Sequence, residues 1–336
     1  MESKEIEERN DEDWVICYDD EKAKKCIQQY IDSKKINKEQ SREIITYLQN
    51  LEYNDIETYI SADNFYLIEA FCQLIENSTD TQYVLELIEF INAVSKIEGT
   101  MDKMVQMESF KWLIPNLFMF EEEKQYNILN TLTLIFTNVR IIPESEMKKF
   151  DDSFLEGFID IGLNFLNYYD TKWLHYFYYT VLGYQKHIIS TTYSPLVYKL
   201  YSIKKAPELG PELISLLNRE KFDYPLEDQC LSLINDLFSY SVEFQVPVFF
   251  FTLDIKVLID IILRAIHNLE ELDPLRWQYL EVLFTILQHP EYTELQHKID
   301  DIKQVLTDLT LPRSEEKDPS SSMIAKRIIS YLNTSF

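Results

Sequence analysis

Glycine is scarce in this chain: five occur in 336 residues, at positions 99, 157, 162, 183 and 210. Parallel α/β folds and hairpin-rich sheets use glycine wherever the backbone turns sharply or approaches a neighbour closely, at roughly 7% of an average chain. So low a count points away from both and toward helices joined by short turns. Cysteine is scarcer still. Cys17, Cys26, Cys72 and Cys230 show neither the density of a secreted disulfide framework nor paired zinc-ligand spacing, and reduced, mostly buried thiols are expected.

Positive charge is also in deficit, 32 Lys+Arg against 57 Asp+Glu, for a formal charge of −25. Such a surface repels phosphate backbones and anionic lipid headgroups, which argues against nucleic acid as a partner. The longest apolar run, Val246 to Leu253, is too short to span a bilayer, so no direct membrane insertion is expected. The first residues, MESKEIEERNDEDW, are charged where a signal peptide requires an apolar core. A cytoplasmic address is the expectation that remains.

Signatures of chemistry are missing too. Neither G-x-G-x-x-G nor the Walker pattern is present, and Gly157 and Gly162 are not followed by the lysine a phosphate loop needs. There is no G-x-S-x-G elbow and no H-E-x-x-H. His175, His187, His267, His289 and His297 are scattered without a carboxylate at metal-ligand spacing, and His289 and His297, beside expected turns, read as solvated surface groups. No catalytic residue, cofactor or metal is expected, and the chain is read as not an enzyme.

What the chain does have is apolar mass in helical register. Hydrophobic residues make up 46% of it, with many Phe and Tyr, and stripes such as Tyr83, Val84, Leu87, Ile88, Ile91 and Val94 recur almost without a break. Ser153 with Glu156 reads as a capping box, and Ser194-Pro195 and Asp273-Pro274 as capping oxygens before a first-turn proline. Gly99 reads as the end of the helix before it. Three apolar helices that lose periodicity and then meet proline, at 132–143, 233–247 and 280–290, suggest loose repetition. The fold class expected is all-α, an armadillo/HEAT-like α-solenoid with a repeat of ~40 to 47 residues. Residues 1–14 read as an acidic flexible tail, 15–311 as the helical domain, 312–321 (PRSEEKDPSS) as a linker and 322–336 as a C-terminal helix. The aromatic run at 173–184 is read as the alternating faces of a buried helix.

The helix expected at 254–270 is apolar except for one narrow stripe: Lys256, Asp260, Arg264, His267 and Glu271. Most of its circumference must be buried. In a solenoid the innermost helix lines the concave groove, which would turn this stripe toward a partner. Arg276 and Tyr279, at the start of the next helix, complete the expected partner-binding set, each also readable as a bond between neighbouring helices.

Two motifs carry resemblance. The tail residues Asp11 to Trp14 (DEDW) resemble the acidic, tryptophan-bearing tails of Wiskott-Aldrich-type nucleation factors. The stretch D-I-I-L-R-x-I-x-N-L, Asp260 to Leu269, followed by D-P-L-R-x-x-Y-L, Asp273 to Leu280, and Tyr292 after a short turn, resembles the leucine-rich domain of the WISH/DIP/SPIN family of actin regulators. Animal members, the NCK-interacting SH3 proteins, carry an SH3 domain and proline-rich segments. The present sequence holds neither and looks like the short fungal members. The resemblance implies an armadillo-like fold that binds the actin-related protein 2/3 complex, and actin indirectly. It implies activation without a pre-existing filament, giving linear filaments that seed branched networks such as endocytic actin patches of the cell cortex. A monomer is expected. Composition and periodicity alone fit equally a general solenoid adaptor or regulatory scaffold.

Overall fold

The stripe at 83–94 becomes a helix whose Tyr83, Val84, Leu87, Ile88 and Ile91 are all buried, as its 3.6-residue period requires. In the computed structural model the described residues are 25, 27, 36–167, 172–188, 193–218 and 225–335, and among them the elements are helices with no strand. Expectations for DEDW and for a first helix at 20–33 fall wholly or largely outside the described residues.

In chain order the helices are α1 (Lys38–Gln49), α2 (Tyr53–Asn77), α3 (Thr81–Ala93), α4 (Thr100–Gln106), α5 (Phe110–Met119), α6 (Glu122–Asn138), α7 (Glu144–Met147), α8 (Asp152–Phe165) and α9 (Lys172–His187). There follow α10 (Pro195–Ser202), a 3₁₀ turn (Ala206–Leu209), α11 (Gly210–Leu217), α12 (Glu227–Phe244), α13 (Thr252–Asn268), α14 (Pro274–Gln288), α15 (Pro290–Leu295), α16 (Ile299–Leu309), α17 (Pro312–Lys317) and α18 (Pro319–Ser335).

Six of these, α3, α6, α9, α12, α14 and α18, pack each on the next as a continuous ladder. A polar pair marks every step of it, half-buried or buried at the first four and exposed at the last. Thr131 donates to Asn92 Oδ1 (2.8 Å), the hydroxyls of Thr133 and Thr180 meet at 3.0 Å, Gln185 donates to Asp236 (3.2 Å), Thr285 donates to Asn235 (2.7 Å), and Arg327 pairs with Glu281. The partners lie 39, 47, 51, 50 and 46 residues apart along the chain. That spacing is a structural repeat, and with the all-helical composition it makes the fold an armadillo-like α-solenoid. A second row, α8, the 3₁₀ turn, α11, α13 and α16, packs in sequence against the first. Helix α13 therefore belongs to the second row.

Several local expectations change. Helix α8 is capped by Asp151, which accepts from the Phe154 N–H at 2.8 Å, and not by a Ser153/Glu156 box. Phe150 and Phe154 are both buried with rings 4.8 Å apart, and that packing fits a cap two residues earlier than Ser153. Gly99 precedes α4 in a left-handed conformation (φ +92°), six residues past the end of α3 at Ala93. A Cβ there would sit 2.7 Å from the Phe65 ring, so both its dihedral and its neighbour demand glycine. Helix α2 is interrupted at Ala62–Phe65, where three successive residues are left-handed. Segment 312–321 is not a linker: α17 occupies its first half, and Asp318, Ser321 and Ser322 are buried. Asp318 accepts from the Ser321 N–H (3.1 Å), capping α18 ahead of Pro319 just as Asp273 caps α14 ahead of Pro274. His289 is buried, not solvated. Its Nδ1 accepts from the Glu291 N–H (3.2 Å), and Nε2 lies 3.0 Å from Ser241 Oγ.

Candidate functional site

Helix α13 buries Ile255, Leu258, Ile259, Ile261, Ile262, Leu263 and Ile266 against α11, α14 and α16. What it leaves outside is the stripe: Lys256 is half-buried, and Asp260, Arg264 and His267 are exposed, flanked by exposed Leu253 and Val257. Four or three residues separate successive members, so they share one face.

The stripe's charges pair outward to neighbouring elements and not along the helix. Asp260 Oδ1 lies 2.9 Å from His297 Nε2 and 3.1 Å from Lys298 Nζ. Partial desolvation works against ionisation of Asp260, but the hydrogen bonds from His297 and Lys298 outweigh it and hold its carboxyl below the usual carboxylate range. The turn that presents those two partners is unusual: Gln296 and Lys298 both have positive φ, 45° and 54°. Arg264 donates to the Asn218 side chain at the end of α11. Glu271, past the helix end, binds Lys317 at 2.8 Å. Lys256 and His267 have no hydrogen bond or ion pair among the described residues. They are the two stripe members without an internal partner.

Arg276 and Tyr279 are placed differently. Both are buried. Arg276 donates through Nη2 to the carbonyl of Leu269 (2.6 Å), the C-cap of α13, and its Nη1 lies 3.4 Å from Asp318. Tyr279 donates to Glu227 on α12 (2.8 Å), and burial followed by the Glu227 charge pushes its phenol far above the ordinary range. A partner could reach either residue only after these bonds broke, so both read as bolts between helices and not as contact residues.

In the same eight-residue motif, Trp277 is exposed, and the sequence reading did not select it. Its signal was positional: 277 falls between the burial registers of 276, 279 and 280. The aromatic run 173–184 is core, with Leu174, Phe177, Tyr178, Tyr179, Val181, Leu182 and Tyr184 buried. Among the described residues, no group of three or more His, Cys, Asp or Glu could hold a metal ion, and no helix is long and apolar enough to cross a membrane.

The described family SPIN90/Ldb17, leucine-rich domain, matches residues 151–302, which run from the cap of α8 into α16 and contain the whole stripe. Protein dip1 of Schizosaccharomyces pombe is 32% identical over 123 residues, 35% of this chain and 32% of that protein, so the match spans about a third of the relative's length. Among solved structures, SYS-1 superposes with a TM-score of 0.49 at 13% identity, over 93% of this chain and 62% of that one. A designed armadillo repeat protein in complex with the peptide (KR)4 gives 0.43 at 12%, over 77% and 98%. Residues 151–302 thus match the SPIN90/Ldb17 leucine-rich domain, the domain through which the sequence resembles the WISH/DIP/SPIN family.

Proposed function

We propose that this chain binds the actin-related protein 2/3 complex through its folded helical stack and activates it without a preformed filament, starting linear filaments that then seed branched networks. The observation that carries this reading is the leucine-rich domain over 151–302, with the exposed α13 face inside it. No step requires catalysis by the chain itself. An activator of this kind works by binding the active arrangement of its target better than the inactive one. Moving a two-state equilibrium from 1:99 to 99:1 takes a preference of about 10⁴-fold, or about 5.5 kcal/mol. A broad protein surface can supply that difference where one contact cannot.

The partner-binding residues proposed are Lys256, Asp260, Arg264 and His267. The strong negative charge of the chain favours encounter with basic surfaces, while Lys256 provides a local unpaired cation and His267 an unpaired imidazole for groups on the partner. Cytoplasmic residence at cortical actin patches and action as a monomer belong to the same proposal. Pyrene-actin assembly with the purified complex and no filament seeds tests it. A shortened lag that depends on both the complex and the chain supports the reading. A lag unchanged at saturating chain favours the general solenoid adaptor.

A further inference from the structure

His289 stands at a junction of four helices, and its hydrogen bonds fix where its proton sits. The residue is 7% exposed, follows α14 directly and caps α15. Its Nδ1 accepts the Glu291 N–H (3.2 Å), so the proton of the neutral ring belongs to Nε2. Nε2 lies 3.0 Å from Ser241 Oγ on α12 and donates to it. Ser241 Oγ donates onward to the Val246 carbonyl, and the Val246 N–H returns to the Ser241 carbonyl (3.2 Å), closing the turn that ends α12. Glu291 extends the chain of bonds the other way. While its N–H feeds His289, its Oε1 accepts from the hydroxyl of Thr252 (2.7 Å), the first residue of α13.

A second proton on this ring can go only to Nδ1, where it would meet the Glu291 N–H, donor against donor. The cap bond must then break, and the new N–H needs an acceptor. The charged groups lining the cavity beside His289 are Glu291 and Glu294, both on α15. Ser241 of α12, Gln245 of the connecting loop, Thr252 of α13 and Gln288 of α14 bring no charge, and among the described residues no lysine or arginine lines it. Glu291 is the carboxylate whose charge acts on the ring, and so the acceptor that fits. Burial pushes the imidazole below its ordinary value, and the Glu291 charge only partly offsets that. The folded chain therefore takes this proton less readily than the unfolded one. Stability from this site is full above about pH 6.5 and falls as pH drops below it.

We propose that His289 is an acid-sensitive latch on the start of α13: on protonation its Nδ1–H turns to the Glu291 carboxylate, the α15 cap bond is lost, and Thr252 loses its acceptor. Phe251 and Leu253, on either side of Thr252, are exposed, so burial of these neighbours does not hold the segment once the hydroxyl bond goes. The segment released leads directly into the exposed α13 face. The latch is a property of the chain alone and does not rest on the actin reading.

Hydrogen exchange of the full chain, read by mass spectrometry at pH 7.5 and pH 5.0 and corrected for the intrinsic effect of pH, tests it. Exchange in 251–256 and 291–293 is expected to be about tenfold or more faster at the lower pH, with 83–91 of α3 unchanged. His289→Asn places a carboxamide oxygen at the cap, which accepts the Glu291 N–H without titrating, so its exchange should be the same at both pH values. Glu291→Gln keeps the cap N–H and an acceptor for Thr252 but offers the imidazolium no charge; the acid response should vanish in 251–256 and persist in 291–293. Nitrogen-15 shifts of the parent's His289 ring at pH 7.5, a measurement that needs no variant, should show Nε2 protonated and Nδ1 bare. The proposal is overturned if the parent exchanges alike at both pH values, if the acid response survives in His289→Asn, if Glu291→Gln responds as the parent does, or if the neutral ring carries its proton on Nδ1.

Discussion

Asp260 Oδ1 and His297 Nε2 lie 2.9 Å apart, which ties the exposed face of α13 to the turn ahead of α16. Because the folded carboxyl titrates below its unfolded value, the contribution is fully present above about pH 4 and is lost as pH falls below that. Asp260 is half exposed, so the effect is small, a few tenths of a kcal/mol. Asp260→Asn should lower the melting temperature slightly at pH 7 and make no difference near pH 2, as read by thermal unfolding across that range.

Asp236 behaves oppositely. Burial between α9 and α12 raises its carboxyl to about 6. A folded-state value above the unfolded one means the native state binds the extra proton, so stability falls as pH rises from about 4 to about 6 and stays level above. Its neighbour Gln185 donates to it through Nε2, while Gln185 Oε1 is buried without a partner. Asp236→Asn removes the charge and offers an NH₂ to that oxygen. The variant should be more stable than the parent at pH 7 by about 1–2 kcal/mol, after discounting for partial exposure, and should lose the slope between pH 4 and 6. Urea unfolding at pH 4.5 and 7 checks both.

Gly183 sets how closely α9 can approach α6. A Cβ there would stand 2.6 Å from Phe136 Cβ, an atom next to the backbone that cannot swing aside. Alanine improves helix propensity by ~1 kcal/mol, but overpacking at such a contact costs about 1–3 kcal/mol and the whole ladder step must widen. Gly183→Ala should therefore destabilise, by about 1–2 kcal/mol in chemical denaturation. Equal or higher stability would mean the ladder yields at this step.

Periodicity carried most of the fold, because a solenoid buries every helix by the same rule: the stripe from Tyr83 to Ile91 and the apolar circumference of 254–270 were legible as such. The family motif was legible from Asp260 to Leu280, while the matched domain begins upstream at Asp151. Caps were legible where only one candidate competed, as at Ser194 and Asp273. They failed at 151–156, where three cap-competent residues, Asp151, Asp152 and Ser153, are adjacent and buried Phe150 decides among them. PRSEEKDPSS misled for a related reason. Composition suggests a linker, yet Pro312 and Pro319 each open a helix, and Asp318 reaches a buried arginine forty-two residues away, a partner no local window contains. The row to which α13 belongs could not be read either, since two differently placed helices in a stack present the same apolar faces.

Buried Arg276 and exposed His267 lie within one motif and separate stability from binding. Arg276 holds the α13 C-cap carbonyl and faces Asp318, itself buried; its Nε has no partner, so the site already carries some cost. Arg276→Ala would uncap Leu269 and leave Asp318 short of its cation, a loss of about 3 kcal/mol expected from breaking a buried pair. The melting temperature should drop clearly, and any loss of activity should follow the loss of folded protein. His267→Glu and Lys256→Glu change groups with no internal partner, so unfolding should move by less than about 0.5 kcal/mol. If the α13 face meets the actin-related protein 2/3 complex, the double variant should lengthen the pyrene-actin lag and weaken binding about tenfold or more by introducing two negative charges, one of them in place of the Lys256 cation. Arg264→Glu added to these breaks only the bond to Asn218 and should deepen the defect without unfolding the chain. A double variant that nucleates like the parent would move the interface to another face, and if Arg276→Ala were the more specific of the two at matched folded concentration, the assignment of bolt and contact would be reversed.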